Sequence, residues 1–156
     1  MNREGHVGFT LLIFSILMMP FGVNTNTIIV IGIAAVFSFL PDIDFKLELA
    51  HRKYTHNILA AMLFGLVFFI LFYIGGNLTI ASLAFLGVFG GVVSHILGDM
   101  LAGRTKSGGP WKLQPLWPFS NVELGWGFFK SSDKNMNNAF LLLGVFGLVA
   151  FVMIGA

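Results

Sequence analysis

Five long apolar runs dominate this sequence and limit the folds that it can adopt. Crossing the hydrocarbon core of a bilayer takes about 20 apolar residues, with a range of roughly 17–25. The mean hydropathy is +0.87 and only 10% of the residues are charged, which separates the chain from soluble proteins. The sequence therefore predicts an all-α, polytopic membrane bundle that forms a single integral membrane domain, residues 1–156. The predicted spans cover residues 7–22, 27–41, 57–75, 79–101 and 138–155.

The distribution of positive charge predicts how these spans are oriented. Five spans place the N-terminal residues, the segment 42–56 and the loop 102–137 on the same side of the membrane. All nine Lys and Arg residues lie in these three segments. Cytoplasmic loops carry an excess of Lys and Arg. We therefore expect a multi-pass protein of the inner (cytoplasmic) membrane, with its N-terminus inside the cell and its C-terminus outside.

Histidine and aspartate side chains collect at the predicted cytoplasmic ends of the spans. His95 and Asp99 are four residues apart, so that on a helix they share one face. Ionisable residues inside a span are costly and usually meet a partner in the bundle interior. Taken alone, this pair could be a simple His–Asp hydrogen bond that packs the helix. The full set of candidate metal ligands comprises His6, Asp42, Asp44, His51, His56, His95 and Asp99.

The stretch LPDIDF supplies two of these candidates. Pro41 stops the preceding helix, and Asp42 and Asp44 can point from the same side of an extended turn. Two carboxylates that converge repel each other, and a divalent cation relieves that repulsion. A plain helix-ending turn at the level of the lipid headgroups is the alternative.

The stretch HRKYTHN supplies two more candidates. Thr55 or Asn57 can cap the next helix, which leaves His56 at the helix start, where the positive field favours the neutral, metal-binding imidazole. Arg52 could bind a phosphate through two parallel hydrogen bonds. Lys53 is interpreted as a membrane anchor only.

The ligand types limit the metal and its chemistry. The chain has no cysteine, so that any metal must be held by nitrogen and oxygen ligands. A mixture of His and Asp best fits zinc, with manganese as the alternative, and the number of candidates allows one or more ions. A metal-bound hydroxide would attack an ester or phosphoester. Neither a GxSxG motif nor a phosphate-binding glycine loop is present, and no nucleic-acid-binding surface is evident.

Several motifs together resemble a known family. EGHVGFT, FLPDIDF, HRKYTHN and SHILGDML followed by PLWPFS resemble the YdjM-like integral membrane proteins over about residues 4–120, in matching order and approximate spacing. That family is described as membrane-bound metal-dependent hydrolases, under LexA control in some bacteria, and is distantly similar to zinc-dependent phospholipase C and P1-type nuclease. The resemblance implies an enzyme that uses a metal-activated water on a phosphoester of a lipid or another membrane-associated substrate. The catalytic residues implied are Asp42, Asp44, His51, Arg52 and Thr55, with Arg52 and Trp117 binding substrate.

The loop 102–137 is rich in aromatic residues that alternate with lysines. Trp at membrane interfaces anchors amphipathic segments among lipid headgroups, which predicts a loop lying on the membrane surface. Alternatively, the loop covers the metal ligands and admits lipid headgroups from the side. Glu123 is an additional candidate acid or base among these aromatic residues. The aromatic set is Trp111, Trp117, Phe119, Trp126, Phe128 and Phe129.

Two other functions fit parts of the pattern. A metal-ion or proton-coupled transporter could use the same His and Asp residues, but transport requires polar groups that lead toward both faces. A non-catalytic scaffold that binds a partner would explain the long loop and leaves the converging ligands unexplained. The sequence leaves the oligomeric state open.

Overall fold

The computed structural model describes residues 1–42, 54–104 and 108–155. These residues form five α-helices, two short 3-10 turns at Met19–Phe21 and Leu40–Asp42, and no β-strand beyond isolated bridges. The predicted all-α membrane bundle is confirmed. The helices are α1 (Arg3–Met18), α2 (Thr25–Phe37), α3 (Ile58–Ile74), α4 (Leu78–Ala102) and α5 (Lys134–Gly155).

Four segments of the described chain are long and apolar enough to cross a membrane. Two of these segments consist of α1 and α2, each with the 3-10 turn that follows it. The other two are α4 and α5. Helix α3 is equally apolar but has 17 residues, at the lower limit of the length that spans a bilayer. These elements correspond one to one with the five predicted spans.

Polar caps set where the helices begin. The side chain of Asn2 accepts a hydrogen bond from Gly5 N at 2.8 Å, so that α1 starts at Arg3, before the apolar run begins. Asp133 does the same for the first turn of α5 by accepting from Asn135 N and Met136 N. For α3 the cap is Asn57, which accepts a hydrogen bond from Ala60 N at 2.8 Å. Of the two predicted caps, Thr55 and Asn57, it is therefore Asn57 that is used. His6 therefore lies within α1.

Helix α4 lies in the middle of the bundle and contacts α1, α2 and α3. Small residues allow α4 to contact three helices, because small side chains let helix backbones approach closely in membranes. A Cβ atom at Gly91 would collide with the carbonyl oxygen of Ala34 in α2. Helices α1 and α5 pack in the same way: a Cβ atom at Gly8 would collide with the backbone of Leu141, and one at Gly144 with the carbonyl oxygen of Gly8.

The segment between α4 and α5 folds back onto one end of the bundle. Leu113 and Leu124 exchange two backbone hydrogen bonds of 2.8 Å, and Leu113 is buried against Ile96 and Met100 of α4. The segment also supplies partners for helix ends, which otherwise leave backbone groups unpaired: the Met100 carbonyl accepts from Trp126 N at 2.8 Å. This segment thereby closes the end of the bundle where α4 terminates.

The close packing of α1 on α5 generates a stability prediction. We expect Gly8→Ala to lower the midpoint of thermal unfolding in detergent, because the added methyl group forces the two helices apart at a cost of about 1–3 kcal/mol. Gly32→Ala in α2 is the matched control, since Gly32 is exposed and nothing lies within 4 Å of a Cβ atom there. Equal stability of the two variants, measured by thermal unfolding of the purified protein, would contradict this packing.

Candidate metal centre

Five side chains from four segments of the chain meet at the end of the bundle that the loop covers. We call them the His/Asp centre; they are His6 of α1, Asp42 of the second 3-10 turn, His56 before α3, and His95 and Asp99 of α4. The three imidazoles are almost completely buried and Asp99 is 6% exposed, whereas the Asp42 side chain is 40% exposed. Asp42 is therefore the most exposed member of the centre.

The donor atoms of the centre are spaced as metal ligands are. The Nε2 atoms of His56 and His95 are 3.1 Å apart. Nε2 of His95 lies 3.6 Å from Oδ1 of Asp42 and 3.7 Å from Oδ2 of Asp99, and Nε2 of His56 lies 3.6 Å from the same Asp99 oxygen. Two ligand atoms that bind one tetrahedral zinc ion at about 2.0–2.1 Å are about 3.3 Å from each other. These separations fit one or more bound ions.

Hydrogen bonds behind the imidazoles fix which ring nitrogen faces the centre. Nδ1 of His95 lies 2.6 Å from the backbone carbonyl of Ser38; because a carbonyl only accepts, Nδ1 carries the proton and Nε2 presents a lone pair. Nδ1 of His56 is 2.9 Å from the hydroxyl of Thr55. Metal-binding histidines usually have such a partner on the second nitrogen, which fixes the ring orientation.

His6 provides an independent indication of a missing partner. Both of its ring nitrogens are buried, and neither makes a hydrogen bond within the part of the chain that the structure describes. Nε2 is 3.2 Å from Oδ1 of Asp99, which is close enough for an ion pair but not aligned for a hydrogen bond. That Asp99 oxygen also accepts from the α-amino group of Met1. An unpaired buried nitrogen costs about 1–3 kcal/mol, and a metal ion would satisfy it.

Local sequence explains how these rings fit together. The ring of His6 stacks on that of His95, with centroids 3.8 Å apart. Gly98 makes room for this arrangement, since a Cβ atom there would come within 3.1 Å of Nδ1 of His6. One helical turn further into the bundle, the hydroxyls of Thr10 and Ser94 hydrogen bond to each other and join α1 to α4.

Five of the seven predicted ligands are brought together in the His/Asp centre. The two others, Asp44 and His51, lie outside the described residues, as do Arg52 and Lys53. Thr55, predicted to take part in catalysis, contacts His56 as described above. Sequence reasoning missed the roles of Ser38 and Gly98: the first acts through its backbone, and the second through the absence of a side chain.

Trp117 and Glu123 lie on the loop. The ring of Trp117 is half-buried and meets Tyr54 edge to face, with centroids 5.3 Å apart. Glu123 is exposed and pairs with Lys112 across 3.5 Å. Among the described residues, neither belongs to the groups whose donor atoms could share a metal ion.

Fold and site together define a multi-pass helical membrane protein with a buried cluster of histidines and aspartates at one end of its bundle. This chain belongs to the YdjM inner membrane protein family, whose model matches residues 1–156. The family and the apolar helices together support a multi-pass location in the inner membrane. No curated protein and no solved structure matches the chain, so that the expected similarity to zinc-dependent phospholipase C and P1-type nuclease stays a prediction.

The contact between Thr55 and His56 generates a prediction about metal affinity. We expect Thr55→Val to weaken zinc binding about 10–100-fold, the usual effect of removing the partner that orients a ligating histidine. Thr55→Ser keeps the hydroxyl and is expected to restore the affinity, whereas His56→Ala removes the ligand itself and lowers metal occupancy further. Competition against a chromophoric chelator measures the affinities. Equal affinities of the Val and Ser variants would contradict an orienting role for Thr55.

Proposed function

We propose that this chain is a membrane-embedded, metal-dependent hydrolase that cleaves a phosphoester in a lipid or another membrane-associated substrate. The carrying observation is the His/Asp centre: three buried imidazoles and two carboxylates whose donor atoms have metal-ligand spacing. A buried cluster of this composition is expensive in a membrane protein unless its members have partners. The nitrogens of His6, which make no hydrogen bond within the described residues, support a resident ion, zinc by ligand type, with manganese as the alternative.

The residues of the centre have different roles in this proposal. His6, His56, His95 and Asp99, all buried, would hold the ion. When bound, the ion would supply Lewis acidity that activates water as the nucleophile. Among the described ligand candidates, Asp42 has the most exposed side chain, and we assign its carboxylate the role of accepting a proton from an incoming water. General-base assistance of this kind requires a group within hydrogen-bond reach of the reacting atom.

The position of the centre supports a substrate at headgroup depth. The centre lies near the N-terminal end of α1 and the C-terminal end of α4, rather than at the middle of either helix. The loop at the same end carries the exposed side chains of Phe119, Trp126 and Phe128, and aromatic residues of this kind favour the headgroup region. Together with the distribution of Lys and Arg, this supports a centre on the cytoplasmic side, with the N-terminus inside and the C-terminus outside.

Transport of a metal ion or proton is the competing function. It would require a polar route past the centre to the opposite face. Beyond the pair of Thr10 and Ser94, the described part of the bundle continues with a buried apolar cluster that contains Phe14, Ile31 and Phe151. Phe14 packs against α4 at Gly90, so that a large apolar ring lies between α1 and α4 at this level. This arrangement favours a site that opens on one side.

A screen of phosphoesters tests the proposed reaction. We expect the zinc-loaded protein in detergent to hydrolyse at least one of bis-p-nitrophenyl phosphate, p-nitrophenyl phosphate or phosphatidic acid, with loss of turnover on chelation and recovery on adding zinc. Asp42→Asn should lower kcat about 100- to 10,000-fold, the contribution of a general base. Asp133→Asn, in the cap of α5, is the matched control.

The same experiment separates the proposed reaction from transport. Metal content is measured in every sample, so that an inactive variant can be told from an empty one. Absence of turnover in fully loaded wild-type protein, together with metal flux into proteoliposomes, would refute the hydrolase and favour the transporter.

The proposed orientation has a separate test, which the absence of cysteine makes simple. Single cysteines are introduced at two exposed positions, Asn26→Cys at the start of α2 and Val122→Cys in the loop. A membrane-impermeant maleimide should label the first in spheroplasts and the second only after the membrane is permeabilised. The reverse pattern would place the His/Asp centre on the outer side.

A further inference from the structure

Arg3 is a cation at the edge of the His/Asp centre that the sequence motifs do not single out. Its guanidinium carbon lies over the ring of Phe39, 4.2 Å from the ring centroid, and the side chain is exposed. No carboxylate in the described ranges 1–42, 54–104 and 108–155 lies within 4.0 Å of this guanidinium. A cation–π contact of this kind holds the head group in place without neutralising its charge.

Two parallel contacts link α1 to the 3-10 turn that follows α2. Arg3 and His6 are three residues apart on α1, which puts their Cβ atoms about 5–6 Å from each other on one face. Phe39 and Asp42 are also three apart, joined by the hydrogen bond from Asp42 N to Phe39 O at 3.2 Å; side chains with this spacing eclipse in a 3-10 turn. His6 faces Asp42 and Arg3 faces Phe39, so that two neighbouring contacts join the first turn of α1 to this turn.

The turn that carries Phe39 also carries the partly exposed member of the centre. Asp42 is the member of the centre that is partly exposed, at 40%, and it shares its turn with Phe39. A ligand that enters beside Asp42 therefore enters next to the turn whose Phe39 ring holds the guanidinium of Arg3. An aromatic ring offers no hydrogen-bond acceptor atom, so that the N–H donors of Arg3 remain available to the oxygens of an anion.

We propose that Arg3, held by Phe39, is the residue that recognises the anionic phosphate oxygens of a ligand entering the His/Asp centre. This inference rests on the proposed function and names its substrate class as an anionic phosphate ester. A planar guanidinium can bind two phosphate oxygens at once. Phe39 acts as a positioning residue, because it touches Arg3 and holds the guanidinium beside the entrance.

The test measures the binding of inorganic phosphate to zinc-loaded, full-length protein in detergent by isothermal titration calorimetry. We expect Arg3→Gln to weaken phosphate binding about 10–100-fold, as expected for loss of charge-assisted hydrogen bonds. Arg3→Lys, which keeps the charge but loses the planar fork, should have a smaller effect, and Phe39→Leu should weaken binding severalfold. Lys130→Gln is the matched control, since it removes an exposed positive charge from the loop and should leave binding unchanged. Metal content should be the same in all variants.

A second titration replaces inorganic phosphate with dodecyl phosphate, which carries a phosphate group on an alkyl chain that resembles a lipid tail. If both probes bind and both bindings depend on Arg3, the result supports a phosphate site that accepts soluble and lipid esters alike. Binding of dodecyl phosphate alone, again dependent on Arg3, supports the site with a lipid headgroup as its source.

Three results would overturn the inference. The first is unchanged binding in Arg3→Gln, which would leave Arg3 as a membrane-interface cation. The second is wild-type affinity in both Arg3→Lys and Phe39→Leu, which decides the matter if Arg3→Gln does not fold. The third is loaded wild-type protein that binds neither probe. Each of these results leaves the proposed hydrolase to be judged by the turnover screen, so that the two failures remain distinguishable.

Discussion

The burial of three imidazoles and a carboxylate at the end of an apolar bundle is the constraint on which the rest of this structure depends. Polar groups removed from water are stable only when they have partners, and four separate segments must converge to provide them. The Ser38 carbonyl and the Thr55 hydroxyl support two of the rings from behind. The nitrogens of His6 make no hydrogen bond to any described residue, which is the strongest structural reason to place an ion here.

Close helix packing is what brings the segments to the same depth. Glycine contacts between α1 and α5 and between α2 and α4 let the backbones touch, and the pair of Thr10 and Ser94 joins α1 to α4 one turn below the rings. Small residues and buried hydroxyls are the usual means of association for helices in lipid. The loop after α4 completes the end of the bundle by pairing backbone groups that the helix termini leave open.

The arrangement has two sides with different properties. Toward the bundle, the pair of Thr10 and Ser94 is followed by an apolar cluster around Phe14. On another side, Asp42 is its partly exposed member, and the guanidinium of Arg3 rests on Phe39 of the same turn. In the proposed function, this partly exposed carboxylate and a guanidinium without an ion-pair partner among the described residues suit a ligand that carries both a metal-binding oxygen and negative charge. A phosphate ester at the level of the lipid headgroups has these properties.

Hydropathy and spacing alone determined the all-α class, the five helical segments and the layer of histidines and aspartates, because bilayer thickness fixes span length and the helical period fixes which residues share a face. Helices α1 and α5 begin at Arg3 and Lys134, before their predicted spans, since polar caps extend helices beyond their apolar runs. Only the tertiary structure decided that Ser38 supports His95, that Gly98 admits His6 and that Arg3 rests on Phe39. These contacts join residues far apart in the chain, and their geometry follows from how the helices pack, which no local pattern encodes.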